Sequence, residues 1–372
     1  MQLIQPTLLL DKKRAIRNIE MMTTKARRSG VIFRPHFKTH QSAAIGGWFR
    51  EAGVDRITVS SLDMALYFAK NGWRNITVAF PVNLPEIDKI NRLAEGIELH
   101  LLVESTESVK LLNQQLRYPA HLWIKIDTGY HRTGIEWDNF TKILQVAETI
   151  ERAEKISLQG LLTHSGHSYR GKSTAEIRDI YSDTMLKLKS VKDRLASAGI
   201  NEVKISIGDT PTCSLVESFD GVDEIRPGNF VFYDAMQLRL GSCSEDQIAV
   251  GLACPVVARH QQRNEIVIYG GAIHLSKEFL MDENDTPVFG RICRLGQNGW
   301  GSIAKSSYVS ALSQEHGIIK ADSDFFEQVK VGDILVILPV HSCLTANLMK
   351  RYRTLDGTWI ESMQSQIPDF NA

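Results

Sequence analysis

Charge imbalance is the first thing this chain lacks. Across 372 residues, 43 basic side chains balance 43 acidic ones and the pI is about 7.2. That balance leaves no electrostatic footprint for nucleic acid or for an anionic membrane surface. Cysteine is scarce: there are five, at 213, 243, 254, 293 and 343, with no CxxC pair among them. Such scattered thiols exclude a disulfide framework and point to a reducing compartment. No apolar run approaches the ~18 residues of a membrane-spanning helix, and residues 1–6 carry no leader pattern. The expectation is a cytoplasmic protein. Two nucleotide signatures are missing as well. No GxGxxG follows the first strand-like segment, and no GK[ST] ends a glycine-rich loop.

What the chain does have is alternation. Apolar runs bounded by turns recur at 31–34, 56–59, 75–79, 98–103, 121–126, 157–163, 203–207 and 222–225. Amphipathic stretches at 12–28, 62–71, 85–95, 105–116, 138–153 and 174–198 fall between them. Asp11, Ser61 and the capping-box string Ser173-Thr174-Ala175-Glu176 supply helix starts. Strand–helix alternation with short links implies parallel strands with helical crossovers. Eight such strands fit a TIM-type (β/α)8 barrel over residues 11–240, and a doubly wound open sheet is the alternative. Beyond 240 the texture changes: 247–259, 265–273 and 333–340 are rich in Val and Ile, and turns replace long helices. Residues 241–372 are therefore expected to form a mostly β domain that the extended Thr7-Leu8-Leu9-Leu10 joins.

In a barrel, reactive groups gather where strands end, and the informative polar residues fall there. Lys38 follows the first strand, within Arg34-Pro35-His36-Phe37-Lys38-Thr39-His40. An amine so placed can have its pKa lowered enough to form a Schiff base with a carbonyl. Asp127, His131 and Arg132 follow the fifth strand; His164, His167 and Tyr169 the sixth; Gly208-Asp209-Thr210-Pro211-Thr212 the seventh; Arg226-Pro227-Gly228-Asn229 the eighth. Singly, each reads more readily as a turn or capping residue. Together, the last two segments form a candidate phosphate cradle, since glycines admit backbone N–H groups to an anion and threonines add hydroxyls. A cradle facing a Schiff-base lysine suggests pyridoxal 5'-phosphate. Near the end, His341 and Cys343 stand two apart after a Val/Ile-rich strand, which would put both on one side of an extended segment. Imidazole plus thiolate suits zinc, and the same spacing also suits a structural cysteine beside a hydrogen-bonded histidine.

In combination these segments resemble the fold-type III pyridoxal-phosphate enzymes of the D-serine dehydratase and D-threonine aldolase family, distant relatives of alanine racemase. The resemblance runs over almost the whole chain. It implies that RPHFKTH at 34–40 carries the cofactor on Lys38. It makes GHSY at 166–169, GDTPT at 208–212 and EIRPGN at 224–229 the cofactor-binding segments. Tyr169 would lie near the ring, with His167 and Gly208 in the same segments, while Thr210, Gly228 and Asn229 would hold the phosphate. His341 and Cys343, in PVHSC, would bind a divalent metal, zinc by expectation. Phe230 stands where the family has tyrosine, so one phosphate hydroxyl is missing. HxC is closer to the dehydratase branch, whereas the aldolase branch shows HxD.

The implied reaction is β-elimination from a 3-hydroxy-D-amino acid such as D-serine, giving pyruvate and ammonia, with the metal assisting hydroxide departure. Rivals built from the same parts are retro-aldol cleavage of D-threonine and amino-acid racemisation. A pyridoxal-phosphate carrier is the non-enzyme alternative. The resemblance also implies a homodimer.

Overall fold

The computed structural model describes residues 3–364. The described residues divide into two compact units, one of Glu20–Lys38 with Gly46–Gly228, the other of the segment up to Ile19, Thr39–Ile45, and the described residues from Asn229 onward. The second of these units thus takes in Thr39–Ile45 as well as the N-terminal segment. The strand pairing of residues 7–10 takes the N-terminus into the second unit, and that unit begins again at Asn229.

The first unit is an eight-stranded parallel barrel. Its strands run, in order around the sheet, Ile32–Phe33, Glu224–Ile225, Lys204–Ile207, Ile156–Leu162, Ala120–Asp127, Glu98–Val103, Asn75–Pro81 and Ile57–Val59. Thr58 closes the ring, donating its N–H to Pro35 O (2.9 Å) and accepting from Phe37 N (2.8 Å). All eight strands fall within two residues of the segments expected from sequence. Helix caps do the local work. Ser61 accepts from Met64 N and Ser105 from Ser108 N. Ser173 accepts from Glu176 N, while Glu176 reaches back to the N–H of Lys172, one residue earlier than in a capping box.

Helix Ala43–Glu51 was not anticipated. Gly46 and Gly47 hide it, since glycine is a poor helix former. Packing explains why glycine is tolerated there: a Cβ on Gly46 would sit 3.2 Å from the Phe37 ring.

Alternate strand residues share a face, so His121, Trp123, Lys125 and Asp127 line one side of their strand, next to His100 and Leu102 on the neighbouring one. Trp123, Leu102 and Leu162 pack as an apolar layer. Below it is a polar one. Arg34 and Glu224 form a buried ion pair at 2.5 Å, Ser206 Oγ donates to Glu224 at 2.7 Å, and burial holds His100 down to about 4.

The second unit is a closed antiparallel barrel. Strands Val250–His260, Glu265–Tyr269, His316–Lys320, Gly299–Leu312, Gly290–Gly296 and Ile334–Pro339 pair in that order and return to the first. Thr7–Leu10 pairs antiparallel with Val250–Ala253, and Arg351–Thr354 runs parallel along its other edge. The expected strand at 265–273 stops at Tyr269, where Gly270 and Gly271 turn the chain into Ala272–Leu275.

Candidate active site

Lys38 lies just past the first barrel strand, half-buried in the turn that follows His36. Phe37 anchors that turn. It is fully buried, with ring centroids 4.9, 5.0 and 5.1 Å from Phe49, Phe68 and Trp73. The surroundings of Lys38 are cationic. Burial, followed by the charges of Lys38, Arg226, His164 and Arg132, holds the His36 imidazole well below its ordinary pKa. His164 is depressed the same way, by burial and then by Lys38 and Arg132. Two neutral rings and several fixed cations at one barrel mouth make a field that attracts phosphate and carboxylate groups.

The turns after the sixth, seventh and eighth strands meet there. His164 Nδ1 is hydrogen-bonded to Gly208 O. Tyr169 Oη accepts, at 3.4 Å, from the N–H of Thr210. Asp209 caps the short helix Thr210–Leu215, accepting from Thr212 N (2.8 Å), Thr212 Oγ1 (2.7 Å) and Ser168 Oγ (2.9 Å). Burial raises its pKa to about 6 against those bonds. Gly208 has no room for a side chain: a Cβ would meet Arg226 Cβ at 2.9 Å and its carbonyl oxygen at 3.0 Å. Thr210 Oγ1 is buried without a partner, and a buried hydroxyl normally has one. An orphaned hydroxyl beside a glycine-lined turn, among fixed cations, fits the phosphate of pyridoxal phosphate.

Two expected residues are placed otherwise. The charges bearing on His167 are those of Lys187, Asp127, Asp183 and His131, so it belongs with the loop after the fifth strand rather than with the cations around Lys38. The Asn229 side chain joins the metal motif: its Nδ2 donates to Asp234 Oδ2 (2.6 Å), Ser342 Oγ (3.1 Å) and Cys343 Sγ (3.6 Å). Gly228, one residue earlier, is half-buried at the end of the eighth-strand turn. Phe230 is fully buried and supplies no hydroxyl.

Sequence reasoning passed over Lys125. It is 6% exposed, donates to Ile126 O at 3.0 Å, and has a pKa lowered to about 7 by burial, then by Arg226. A lone lysine inside the apolar run AHLWIKID was the available signal.

The His341–Cys343 pair differs from the expected extended arrangement. Strand Ile334–Pro339 ends before it, and His341 is the N-cap of helix Ser342–Met349, so Cys343 lies in the first helical turn. Asp234 braces the junction by accepting from Ser342 N at 2.9 Å. Thr39 Oγ1 stands 3.2 Å from the sulfur, and with the Asn229 amide it gives two hydrogen-bonding groups suited to a thiolate. Burial lowers the His341 pKa, but the Cys343 charge and hydrogen bond, with Asp234 and Glu278, outweigh it and raise it to about 9. An imidazole and a thiolate drawn together in this way are a donor set for a borderline-soft cation with open positions left for water or substrate.

The model of the alanine racemase N-terminal domain matches residues 10–235, and that of a putative serine dehydratase domain matches residues 249–355. The chain belongs to the fold-type III pyridoxal-phosphate family. It is similar to the D-threo-3-hydroxyaspartate dehydratase of Delftia sp. (strain HT23), 28% identical over 95% of this chain and 96% of that one. It is also similar to the D-serine dehydratase of Dictyostelium discoideum, 29% identical over 91% and 90%. The solved structure of the Delftia enzyme superposes with a TM-score of 0.89 at 26% identity, covering 98% of each chain. Variants of that enzyme at a histidine and at a cysteine two residues later have also been solved, the cysteine variant in a metal-free form.

Proposed function

We propose that this protein is a pyridoxal-phosphate-dependent lyase acting on 3-hydroxy-D-amino acids, and that its reaction is the metal-assisted dehydration of a D-serine-like substrate. The observation that carries the reading is the His341–Cys343 pair, braced by Asp234 and hydrogen-bonded at sulfur by Thr39 and Asn229. The relatives named as dehydratases support it, as does the histidine-x-cysteine spacing of the two D-threo-3-hydroxyaspartate dehydratase variants, the cysteine one solved in a metal-free form.

Bound through Lys38, pyridoxal phosphate supplies an electron sink for the pair left when the Cα proton departs. A cation on His341 and Cys343, zinc in this proposal, supplies Lewis acidity for a departing hydroxyl. The chain's own residues do the rest. The Lys38 amine, once the substrate amine has replaced it on the cofactor, would take the Cα proton. Neutral His36 and His164 leave that amine without a competing acid, and Arg132 and Arg226 set the anion-attracting field. Thr210 Oγ1 donates to phosphate oxygen, and Tyr169 abuts that turn. Cytoplasmic residence and a homodimer belong to the same proposal.

The test is product analysis. Metal-replete protein is expected to make pyruvate from D-serine, and chelator-treated protein to lose that activity until zinc is restored. Lys38→Ala should abolish both turnover and the visible absorption of the lysine-bound cofactor. Equal turnover with and without metal would remove the metal from the mechanism. Glycine released from D-threonine, without pyruvate from D-serine, would mark an aldolase. Inversion at Cα unaffected by chelator would mark a racemase, and bound cofactor without turnover of any D-amino acid a carrier.

A further inference from the structure

A second group of donors lies at the opposite, N-terminal end of the barrel strands. Glu98 and His100 are two apart on Glu98–Val103 and so share a face. His121, on the adjacent strand, is the registered partner of His100. Glu98 Oε1 stands 3.1 Å from His100 Nε2 and 4.0 Å from His121 Nε2. One donor atom from each residue lies within 4.8 Å of the other two. Bonds of ~2.0–2.1 Å to a tetrahedral ion place its donors roughly 3.3 Å apart. A small turn of the half-exposed Glu98 and of His121 reaches that spacing.

Two further observations bear on a ligand. His121 Nδ1, the nitrogen facing away, lies 2.7 Å from Ser157 Oγ, which can accept the N–H that coordination through Nε2 requires. Metal-binding histidines are oriented through their other nitrogen in this way. His100 is 2% exposed and turns its Nε2 toward Glu98, so a buried imidazole nitrogen faces the group. The Glu98 and His121 side chains are 50% and 32% exposed, giving an ion an entry from solvent. Of the cations that bear on the group, Arg34 is engaged by Glu224, while Lys204 acts on His121.

We propose that Glu98, His100 and His121 form a divalent transition-metal site at the N-terminal rim of the barrel, separate from His341 and Cys343. Two imidazoles and one carboxylate suit Zn2+, Co2+ or Ni2+, with water completing the shell. Lying at the end of the barrel away from the reactive loops, the ion pins neighbouring strands and stabilises the fold.

The experiment uses the full chain, stripped with chelator and titrated with Co2+. Cys343→Ala, which disables the other site, is expected to retain one equivalent of Co2+. That equivalent should show visible ligand-field absorption without thiolate charge transfer, and should raise Tm. Adding His121→Ala, or Glu98→Gln as a gentler second variant, should weaken binding at least tenfold and remove the Tm shift, with circular dichroism unchanged. Cys343→Ala protein that takes up no Co2+ would overturn the proposal, as would undiminished binding after both rim substitutions. Because Cys343 is absent throughout, failure here leaves the proposed lyase chemistry standing, and failure of that chemistry leaves this site standing.

Discussion

Replacing Lys125 by methionine should make the protein more stable, and the gain should depend on pH in a particular way. The Lys125 ammonium is buried on a barrel strand among Arg226 and Arg132, and Asp127 and Glu104 offset this only in part. Its pKa falls from 10.5 to about 7, which at 1.36 kcal/mol per unit corresponds to a native-state penalty of about 5 kcal/mol. Relaxation around a buried charge brings the expected measured value down to about 2–5 kcal/mol. The sign follows from proton counts. The unfolded chain keeps the proton up to pH 10.5, whereas the native state releases it near 7. The penalty is therefore full below pH 7, shrinks by up to about 1.4 kcal/mol per pH unit above it, and vanishes beyond 10.5. Lys125→Met fills the same volume without the charge. Urea unfolding of cofactor-free wild type and variant, at pH 6.5 and pH 9.5, reads the difference, and groups common to both chains cancel. The variant should unfold at higher urea at pH 6.5, and most of its advantage should be gone at pH 9.5. An advantage that does not change with pH, or a wild type more stable at pH 6.5, would refute the reasoning.

Breaking the buried pair below the apolar layer should be costly in the other direction. Glu224→Gln leaves Arg34 and Arg226 buried without their carboxylate, so a loss of about 3–5 kcal/mol is expected in the same urea assay. Gly208→Ala forces a methyl group to within 2.9 Å of Arg226 Cβ. The overpacking should cost about 1–3 kcal/mol and weaken retention of pyridoxal phosphate, measured by dialysis and absorbance. Phe37→Ala removes the ring that packs on Phe49, Phe68 and Trp73, at about 3–5 kcal/mol. It should loosen the Lys38 turn, seen as slower recovery of the visible band when cofactor is added back.

The barrel strands were legible because most are apolar runs, largely buried on both faces and bounded by turn residues, so length and composition were enough. The β domain was less so. Strand Gly299–Leu312 carries Gly301, Ser302, Lys305, Ser306 and Ser307 within its span, and four of its first nine residues are exposed. A strand with exposed residues and three register shifts against its partners presents no clean period-2 pattern, so it was not among the expected strands. Helix Ala43–Glu51 was hidden for a different reason: its glycines serve the close approach of Phe37, a contact that no local window contains.

The site shows the same limit at the scale of single side chains. Sequence position singled out Lys38, Tyr169 and Thr210 as candidates, because reactive groups in a barrel gather at strand ends. It could not tell which way an amide faces. Asn229 follows Gly228 in the phosphate motif, and resemblance put both on the phosphate. Its Nδ2 instead contacts Asp234, Ser342 and Cys343, because the chain passes into the second unit between those two residues. The His341–Cys343 spacing was likewise read in the wrong geometry, as an extended i, i+2 pair. A helix starting between them gives the sulfur a different backbone setting and brings Asp234 onto the intervening N–H. Asp234 is thus coupled to the metal motif through Ser342 and Asn229. Asp234→Asn, which keeps the shape but turns one acceptor into a donor, should lower metal affinity about 10–100-fold with Lys38 and its cofactor absorbance intact. Undiminished metal affinity would show that the helix start alone positions His341 and Cys343.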